Sequence, residues 1–193
     1  GVLILGRGGN DSIIGSEFRD SILGGDGDDT IHAGKHDDTV RGEAGDDSVY
    51  GENGEDLLIG DDGNDWLDGG NDADILNGGA GNDTLRGRSG RDSLFGGGGN
   101  DALAGHGGND LMTGQSGNDT MLGGDDDDTM YGGSGDDTML GEFGSDLVNG
   151  QGGVDRIAGS HGDGEAQSGD QLIGSSSEID ENFTFTADWV EEI

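Results

Sequence analysis

Gly78-Gly79-Ala80-Gly81-Asn82-Asp83-Thr84-Leu85-Arg86 is one of seventeen consecutive nine-residue units that run from Gly6 to Ala158 without an insertion. The sixth place of every unit is aspartate: Asp11, Asp20, Asp29, Asp38, Asp47, Asp56, Asp65, Asp74, Asp83, Asp92, Asp101, Asp110, Asp119, Asp128, Asp137, Asp146 and Asp155. Two places on, the eighth residue is apolar in all seventeen, from Ile13, Ile22 and Ile31 to Met139, Val148 and Ile157. The first place is glycine sixteen times, with Ala33 the exception. A fixed period this short dictates the architecture before any other signal is weighed.

Each unit divides in two. The first six residues are glycine and small polar residues, which permit positive φ and close backbone approach. The last three, such as Thr84-Leu85-Arg86, are too few to propagate a helix. They suffice for a short strand whose middle side chain points inward. Two turn-plus-strand units bring the chain back over itself. The expected fold is therefore all-β: a right-handed parallel β-roll (a β-solenoid) with about 18 residues per turn and two short-stranded parallel sheets. Strands stacked about 4.8 Å apart would make a rod of roughly 40 Å.

Three segments are expected. Residues 1–5 read as the entering strand of a preceding repeat. Residues 6–158 form the seventeen-repeat roll, and residues 159–193 form a degraded repeat (Gly159 to Gln167) with a C-terminal capping segment. Within the last, Glu181 to Ala187 alternates apolar and polar residues and reads as a strand. Such an end would shield the open edge of a solenoid. The chain opens mid-repeat at Gly1 and is expected to be a piece of a longer protein.

Composition sharpens the problem. The 193 residues carry a formal net charge of −35, only 28% are hydrophobic, and Gly 46 stands against Pro 0 and Cys 0. Such numbers alone describe a disordered chain. The strict phase argues otherwise, so cohesion must come from elsewhere, and multivalent cations suit so acidic a chain. Eight Lys+Arg cannot neutralise a nucleic-acid backbone, and Lys35 is the one lysine. The acidity also disfavours anionic membranes, and no window reaches membrane-spanning length.

The repeat resembles the RTX (repeats-in-toxin) nonapeptide, Gly-Gly-x-Gly-x-Asp-x-U-x with U a large apolar residue, over residues 6–158. That resemblance implies a β-roll with calcium between turns eighteen residues apart. The ligands would be the seventeen aspartates together with backbone carbonyls of turns containing Gly9, Gly27, Gly45, Gly63, Gly81, Gly99, Gly117 and Gly135. It further implies bacterial type I secretion, an unfolded state in low cytosolic calcium, and folding outside the cell. The chemistry agrees: calcium takes six to eight oxygens, and stacked aspartates about 4.8 Å apart repel without it. Seventeen repeats contain fifteen pairs eighteen residues apart, hence up to about fifteen ions carrying about +30 against −35.

Sorting repeats by parity exposes an asymmetry, since parity is side. In odd repeats the fourth residue is always glycine, from Gly9 to Gly153, and the fifth is Asn or Asp except at Val154. Even repeats carry Phe18, His36, Asp72 and Asp126 at the fourth place and Arg19, Ala73, Arg91 and Ser145 at the fifth. A regular calcium column is expected on the odd side and a patchier one on the even side, weakest at Phe18/Arg19 and Arg88/Arg91. Even strands also point Leu23, Leu57, Ile59, Ile75, Phe95, Leu111, Tyr131 and Leu147 outward. That stripe is expected to pack on the C-terminal segment, a neighbouring domain or another copy.

Catalytic patterns do not emerge, and the chain is expected not to be an enzyme. His32, His36, His106 and His161 lie at scattered phases, and Gly34-Lys35 lacks the Ser or Thr of a phosphate loop. The segment Asp163, Glu165, Asp170 reads as a decayed repeat before it reads as a last cation site. The leading expectation is a secreted, extracellular, calcium-folded module that stabilises or spaces attached domains. The alternative is a calcium-dependent structural or adhesive assembly, such as a surface layer, stalk or filament. Recognition of a flat surface such as ice is weaker, because Trp66, Ala102 and Arg156 interrupt the outward Thr rank.

Overall fold

A computed structural model describes residues 1–159 and 171–173. The described chain is entirely strand and turn. In order the strands are β1 (Leu3–Gly8), β2 (Ser12–Ile14), β3 (Ser21–Asp26), β4 (Thr30–Lys35), β5 (Thr39–Ala44), β6 (Ser48–Asn53), β7 (Leu57–Asp62), β8 (Trp66–Asn71), β9 (Ile75–Ala80), β10 (Thr84–Ser89), β11 (Ser93–Gly98), β12 (Ala102–Gly107), β13 (Leu111–Ser116), β14 (Thr120–Asp125), β15 (Thr129–Ser134), β16 (Thr138–Phe143), β17 (Leu147–Gly152), β18 (Arg156–Ala158) and β19 (Gln171–Ile173). β1, β3 and their successors to β19 form a 10-stranded parallel sheet, and β2 to β18 form a 9-stranded one. The first sheet carries the strands of the even repeats, the second those of the odd repeats. Each strand pairs eighteen residues on, as Thr84↔Trp66 and Thr84↔Ala102 show.

Most strands are six residues long, not three. They run through the apolar triplet into the first three residues of the next repeat, as in Thr84-Leu85-Arg86-Gly87-Arg88-Ser89. Inward-facing positions are therefore two per strand, the eighth residue and the glycine at the first place, in the burial order Leu85 and Gly87. Sequence periodicity hid the second, because glycine has no side chain to reveal its direction.

The core is a single file. Ile22, Ile31, Val40, Val49, Leu58, Leu67, Leu76, Leu85, Leu94, Leu103, Met112, Met121, Met130, Met139, Val148 and Ile157 are all 0% exposed, and Ile13 at the end is 8%. These are the eighth residues of the seventeen repeats, contributed alternately by the two sheets.

Two departures bear on the ends. Phase places the strand after β18 at residue 165 (156 plus nine), yet β19 begins at Gln171, and Leu147 pairs with Gln171. Six residues are thus added between β18 and β19. The expected degraded repeat falls largely within 160–170, which lies outside the described residues, as do Asp163, Glu165, Asp170 and the strand expected over 181–187. The other departure concerns the outer faces. The even stripe stays half-exposed, or exposed at Ile75 and Leu111, whereas outward Ala104, Leu122, Leu140 and Ala158 on the odd sheet are buried.

Because each core residue touches only neighbouring rungs, a truncation leaves a hole that nothing else fills. Leu85→Ala should cost about 2–5 kcal/mol, read as a lowered urea midpoint in saturating calcium. Thr84→Ala, on the outer face, should shift it by less than about 0.5 kcal/mol.

Candidate metal centre

The turns occupy the fourth to sixth residues, and the aspartate that ends each one turns back beneath the roll's edge. From Asp20 to Asp155 every sixth-place aspartate is buried, at 1–5% exposure. One carboxylate oxygen has a fixed duty. The backbone N–H of each aspartate donates to Oδ1 of the aspartate eighteen residues on, from Asp11 N–H to Asp29 at 2.7 Å through Asp65 N–H to Asp83 at 2.8 Å to Asp137 N–H to Asp155 at 3.0 Å. The other oxygen does not. Oδ2 is buried with no hydrogen-bond partner in Asp11, Asp29, Asp38, Asp47, Asp56, Asp65, Asp74, Asp83, Asp92, Asp101, Asp110, Asp119, Asp128 and Asp137.

First-place glycine makes room for that oxygen. A Cβ on Gly78 would collide with Asp83 Oδ2 and lie 2.7 Å from the Gly96 carbonyl oxygen. A Cβ on Gly60 would meet Asp65 Oδ2 and the Gly78 carbonyl in the same way. Each aspartate oxygen therefore shares a narrow space with a backbone carbonyl of the next rung.

A buried carboxylate without a counter-charge is costly. The ion pairs among the described residues join Arg19 to Asp37, His32 to Glu52, Lys35 to Glu17, Arg41 to Asp61 and Arg88 to Asp68. All lie on the surface, and none of these five reaches a sixth-place aspartate. The titration behaviour follows. Burial pushes Asp74 and Asp128 up to about 8, with the N–H bond from the preceding rung opposing and neighbouring carboxylates adding to the rise. The same causes put Asp56, Asp65, Asp101, Asp110 and Asp137 at about 7. These carboxylates demand either protons or a cation. The donors present, carboxylate and carbonyl oxygen, are those of a hard divalent ion such as calcium. No cluster of three or more His, Asp or Glu side chains occurs among the described residues, so backbone oxygens must complete any coordination shell.

The two sides are not equivalent. The odd-turn glycines all take left-handed φ, from Gly9 at 98° and Gly27 at 121° through Gly45, Gly63, Gly81, Gly99 and Gly117 to Gly135 at 129°. A side chain on Gly81 would strike the Gly63 carbonyl below. Beside them the fifth-place residues form a second ladder running opposite to the aspartate ladder. Backbone N–H groups of Asp28, Asp46, Asn64, Asn82, Asn100, Asn118, Asp136 and Val154 each donate to the side-chain oxygen eighteen residues earlier, at 2.7–3.1 Å. The sequence showed these residues, but only the structure shows their bonds. The even side keeps the aspartate ladder, and only Glu55 to Asp37 and Ser145 to Asp127 repeat the second one among the described residues. His36, Asp72 and Asp126 are forced to φ of 66–77° there, which His and Asp tolerate better than most residues.

The first even turn departs furthest. β2 stops at Ile14, and Phe18 is not left-handed. Both oxygens of Asp20 are engaged: Oδ1 accepts from Val2 N–H at 2.8 Å and Oδ2 from Ser16 N–H at 2.7 Å. Burial pushes Asp20 up, but those two N–H groups outweigh it and hold the carboxyl below its usual range. Arg19 pairs with Asp37 on the next rung. The turn bearing Arg88 and Arg91, in contrast, keeps the regular geometry, with Gly90 left-handed and Asp92 Oδ2 buried without a partner. Arg88 turns away to Asp68, at 2.6–2.9 Å.

The chain belongs to the RTX calcium-binding nonapeptide repeat family. The family model, which spans four copies of the repeat, matches in overlapping stretches from residues 5–40 and 32–67, through 50–85, 68–103 and 77–112, to 104–139, 113–148 and 131–164. No curated protein matches the chain. The fold and family make it a calcium-binding β-roll, a structural architecture that is not typically catalytic.

Protonation should substitute in part for metal. Carboxyls with native pKa raised to about 6–8 bind protons in the roll that the unfolded chain, at 3.8, releases. That contribution is complete below about pH 4 and is lost as pH rises through 6–8. In chelator, far-UV circular dichroism should therefore show strand signal at pH 5 that disappears by pH 8.5. The same signal at both values would contradict the buried-carboxylate account.

Proposed function

We propose that the roll is a calcium-folded module of a secreted bacterial protein, holding ions between successive turns on each side. The supporting observation is the file of buried aspartate oxygens without partners, which at rungs such as Gly60 and Gly78 lie around the same glycine as a carbonyl of the next rung. The sixth-place aspartates would supply charge, and the Gly-rich turns would supply carbonyl oxygens. Calcium would neutralise neighbouring carboxylates and tie rung to rung. Because the sites exist only when turns are stacked, binding energy becomes folding energy. Each ion at a hundred times its Kd adds about 2.7 kcal/mol, and in a linear array such terms sum. Such a chain would stay unfolded in a low-calcium cytosol and fold after export, then stabilise or space attached domains.

The test is circular dichroism at pH 8 with and without calcium. A cooperative rise of strand signal is expected on addition, with reversal by chelator. A chain fully folded in chelator at that pH would overturn the proposal. Asp83→Ala, in the middle of the odd column, should raise the calcium midpoint several-fold without lowering the final amplitude by more than a few rungs.

Ion placement follows the turns. Crystals grown with calcium should show ions between successive odd turns from Asp11 to Asp155. On the even side the column should begin at Asp38, because both oxygens of Asp20 are already engaged. An ion held by Asp20 would refute that assignment.

A second reading, calcium-dependent assembly with a neighbouring domain or another copy, draws on the even face, where Ile75 and Leu111 are 47% and 37% exposed. Light scattering distinguishes it: particle size growing with calcium supports assembly, and a constant monomer excludes it.

A further inference from the structure

The core changes chemistry once along its length. All four methionines of the chain, Met112, Met121, Met130 and Met139, occupy four consecutive core places on β13, β14, β15 and β16. The other thirteen core places of the repeats hold Ile, Val or Leu. Met112 registers with Met130 in one sheet and Met121 with Met139 in the other, so the four thioethers form a two-by-two block. Leu94 and Leu103 bound it towards the N-terminal end, Val148 and Ile157 towards the other. Each methionine is 0% exposed.

Space does not require methionine there. Leucine fills the same place from Leu58 to Leu103, with the same buried glycine two residues on, and Leu and Met exchange at little cost in a packed core. What distinguishes the four rungs is reactivity. A thioether is oxidised by peroxides, and Leu, Ile and Val are not. The sulfur lone pair attacks one peroxide oxygen and forms the S–O bond as the O–O bond breaks. The departing hydroxide takes the proton of the transferred hydroxyl and leaves as water. The sulfur is oxidised to the sulfoxide and the peroxide is reduced.

The fold sets when that reaction can occur. In the roll the thioethers are sealed between the two sheets. In the unfolded chain, with 28% hydrophobic residues and a net charge of −35, every thioether is open to solvent. The product does not fit back. A sulfoxide is polar and demands a hydrogen-bond donor. Around the block stand apolar side chains and the inward glycines Gly114, Gly123, Gly132 and Gly141, and the backbone donors of these strands are spent in the parallel ladders. A polar group buried without a partner opposes folding, and a core one side chain thick has no second layer in which to place it.

We propose that the methionine block is an oxidation site that gates folding of the C-terminal rungs. Oxidant acting on the unfolded chain installs sulfoxides on β13 to β16 and bars those rungs from the stack, whereas the folded roll shields its thioethers. Because each rung answers only to its neighbours, β1 to β12 still stack, and the lesion shortens the rod without abolishing it. Methionine sulfoxide reductases, drawing on a thiol reductant, return the thioethers and lift the bar. That calcium decides which state meets the oxidant rests on the function proposed above; the mismatch between sulfoxide and core does not.

The measurement is a peroxide challenge followed by peptide mass analysis, with free methionine in the same tube as the reference. In calcium at mildly alkaline pH the four thioethers should oxidise several-fold more slowly than the free amino acid, and in chelator they should match it. Chain oxidised in concentrated urea and diluted into calcium should recover only part of the strand signal, with amide hydrogen exchange slow up to β12 and fast from β13 onward. Treatment with the reductases should restore both, and it needs no variant. Replacing all four residues (Met112→Leu, Met121→Leu, Met130→Leu and Met139→Leu) should leave a roll whose refolding ignores the oxidant. Full recovery of strand signal and exchange protection by the sulfoxide chain would overturn the proposal. So would thioethers in the folded chain that oxidise as fast as free methionine, or an equal loss in the leucine variant. A strand signal indifferent to calcium would remove the calcium reading alone: the thioethers would then be protected in chelator too, and refolding from urea would still decide the gate.

Discussion

The whole architecture hangs on one carboxylate per nine residues. Its Oδ1 accepts the N–H of the aspartate eighteen residues earlier, at 2.7–3.0 Å, so each turn is placed by the next. Its Oδ2 is driven into a narrow space that a first-place Cβ would crowd, and glycine stands there in sixteen repeats of seventeen, with Ala33 the exception. The repeat length follows: three residues of turn bring the carboxylate round, and six of strand carry the chain across to the opposite sheet. An insertion within a unit would move both the aspartate and the apolar residue off their rungs together.

That arrangement creates an electrostatic problem that the apolar core cannot solve. The core is one side chain thick, and its inward glycines bury no side-chain area. Meanwhile each aspartate is desolvated beside others of its kind, which raises several of them to about 7–8. A hard divalent cation, which takes carboxylate and carbonyl oxygens as ligands, is the kind of ion that offsets such charge.

Much of this was legible beforehand, for a physical reason. A solenoid repeats its environment, so residue identity at each phase is sampled many times and the pattern averages out noise. Asp83 and Leu85 announce their roles because sixteen other residues share each phase. What stayed hidden was whatever does not repeat or has no side chain. Gly87 is inward-facing core, but glycine carries no polarity to show it. The six residues added before Gln171 break the phase once, so a nine-residue period does not place the strand Gln171–Ile173. The even stripe, expected to pack on the C-terminal segment, a neighbouring domain or another copy, is half-exposed to exposed among the described residues. On the odd face Leu122 and Leu140 are buried, which the sequence pattern did not mark.

Parity carries the remaining distinction. On the odd side two ladders run in opposite directions through every turn, one through the sixth-place aspartates and one through the fifth-place Asn and Asp side chains from Asn10 to Val154. Two bonds of opposite sense fix both the height and the tilt of a turn, and a single ladder fixes only its height. The even turns, with one complete ladder, accept Phe18, left-handed Asp72 and the cationic pair of Arg19 with Asp37 at little cost to the stack. In a linear array each turn answers only to its neighbours, so such irregularities do not spread. The regular side can therefore hold the rod's geometry while the irregular side varies, and a chain of nearly uniform repeats acquires two edges with different chemistry.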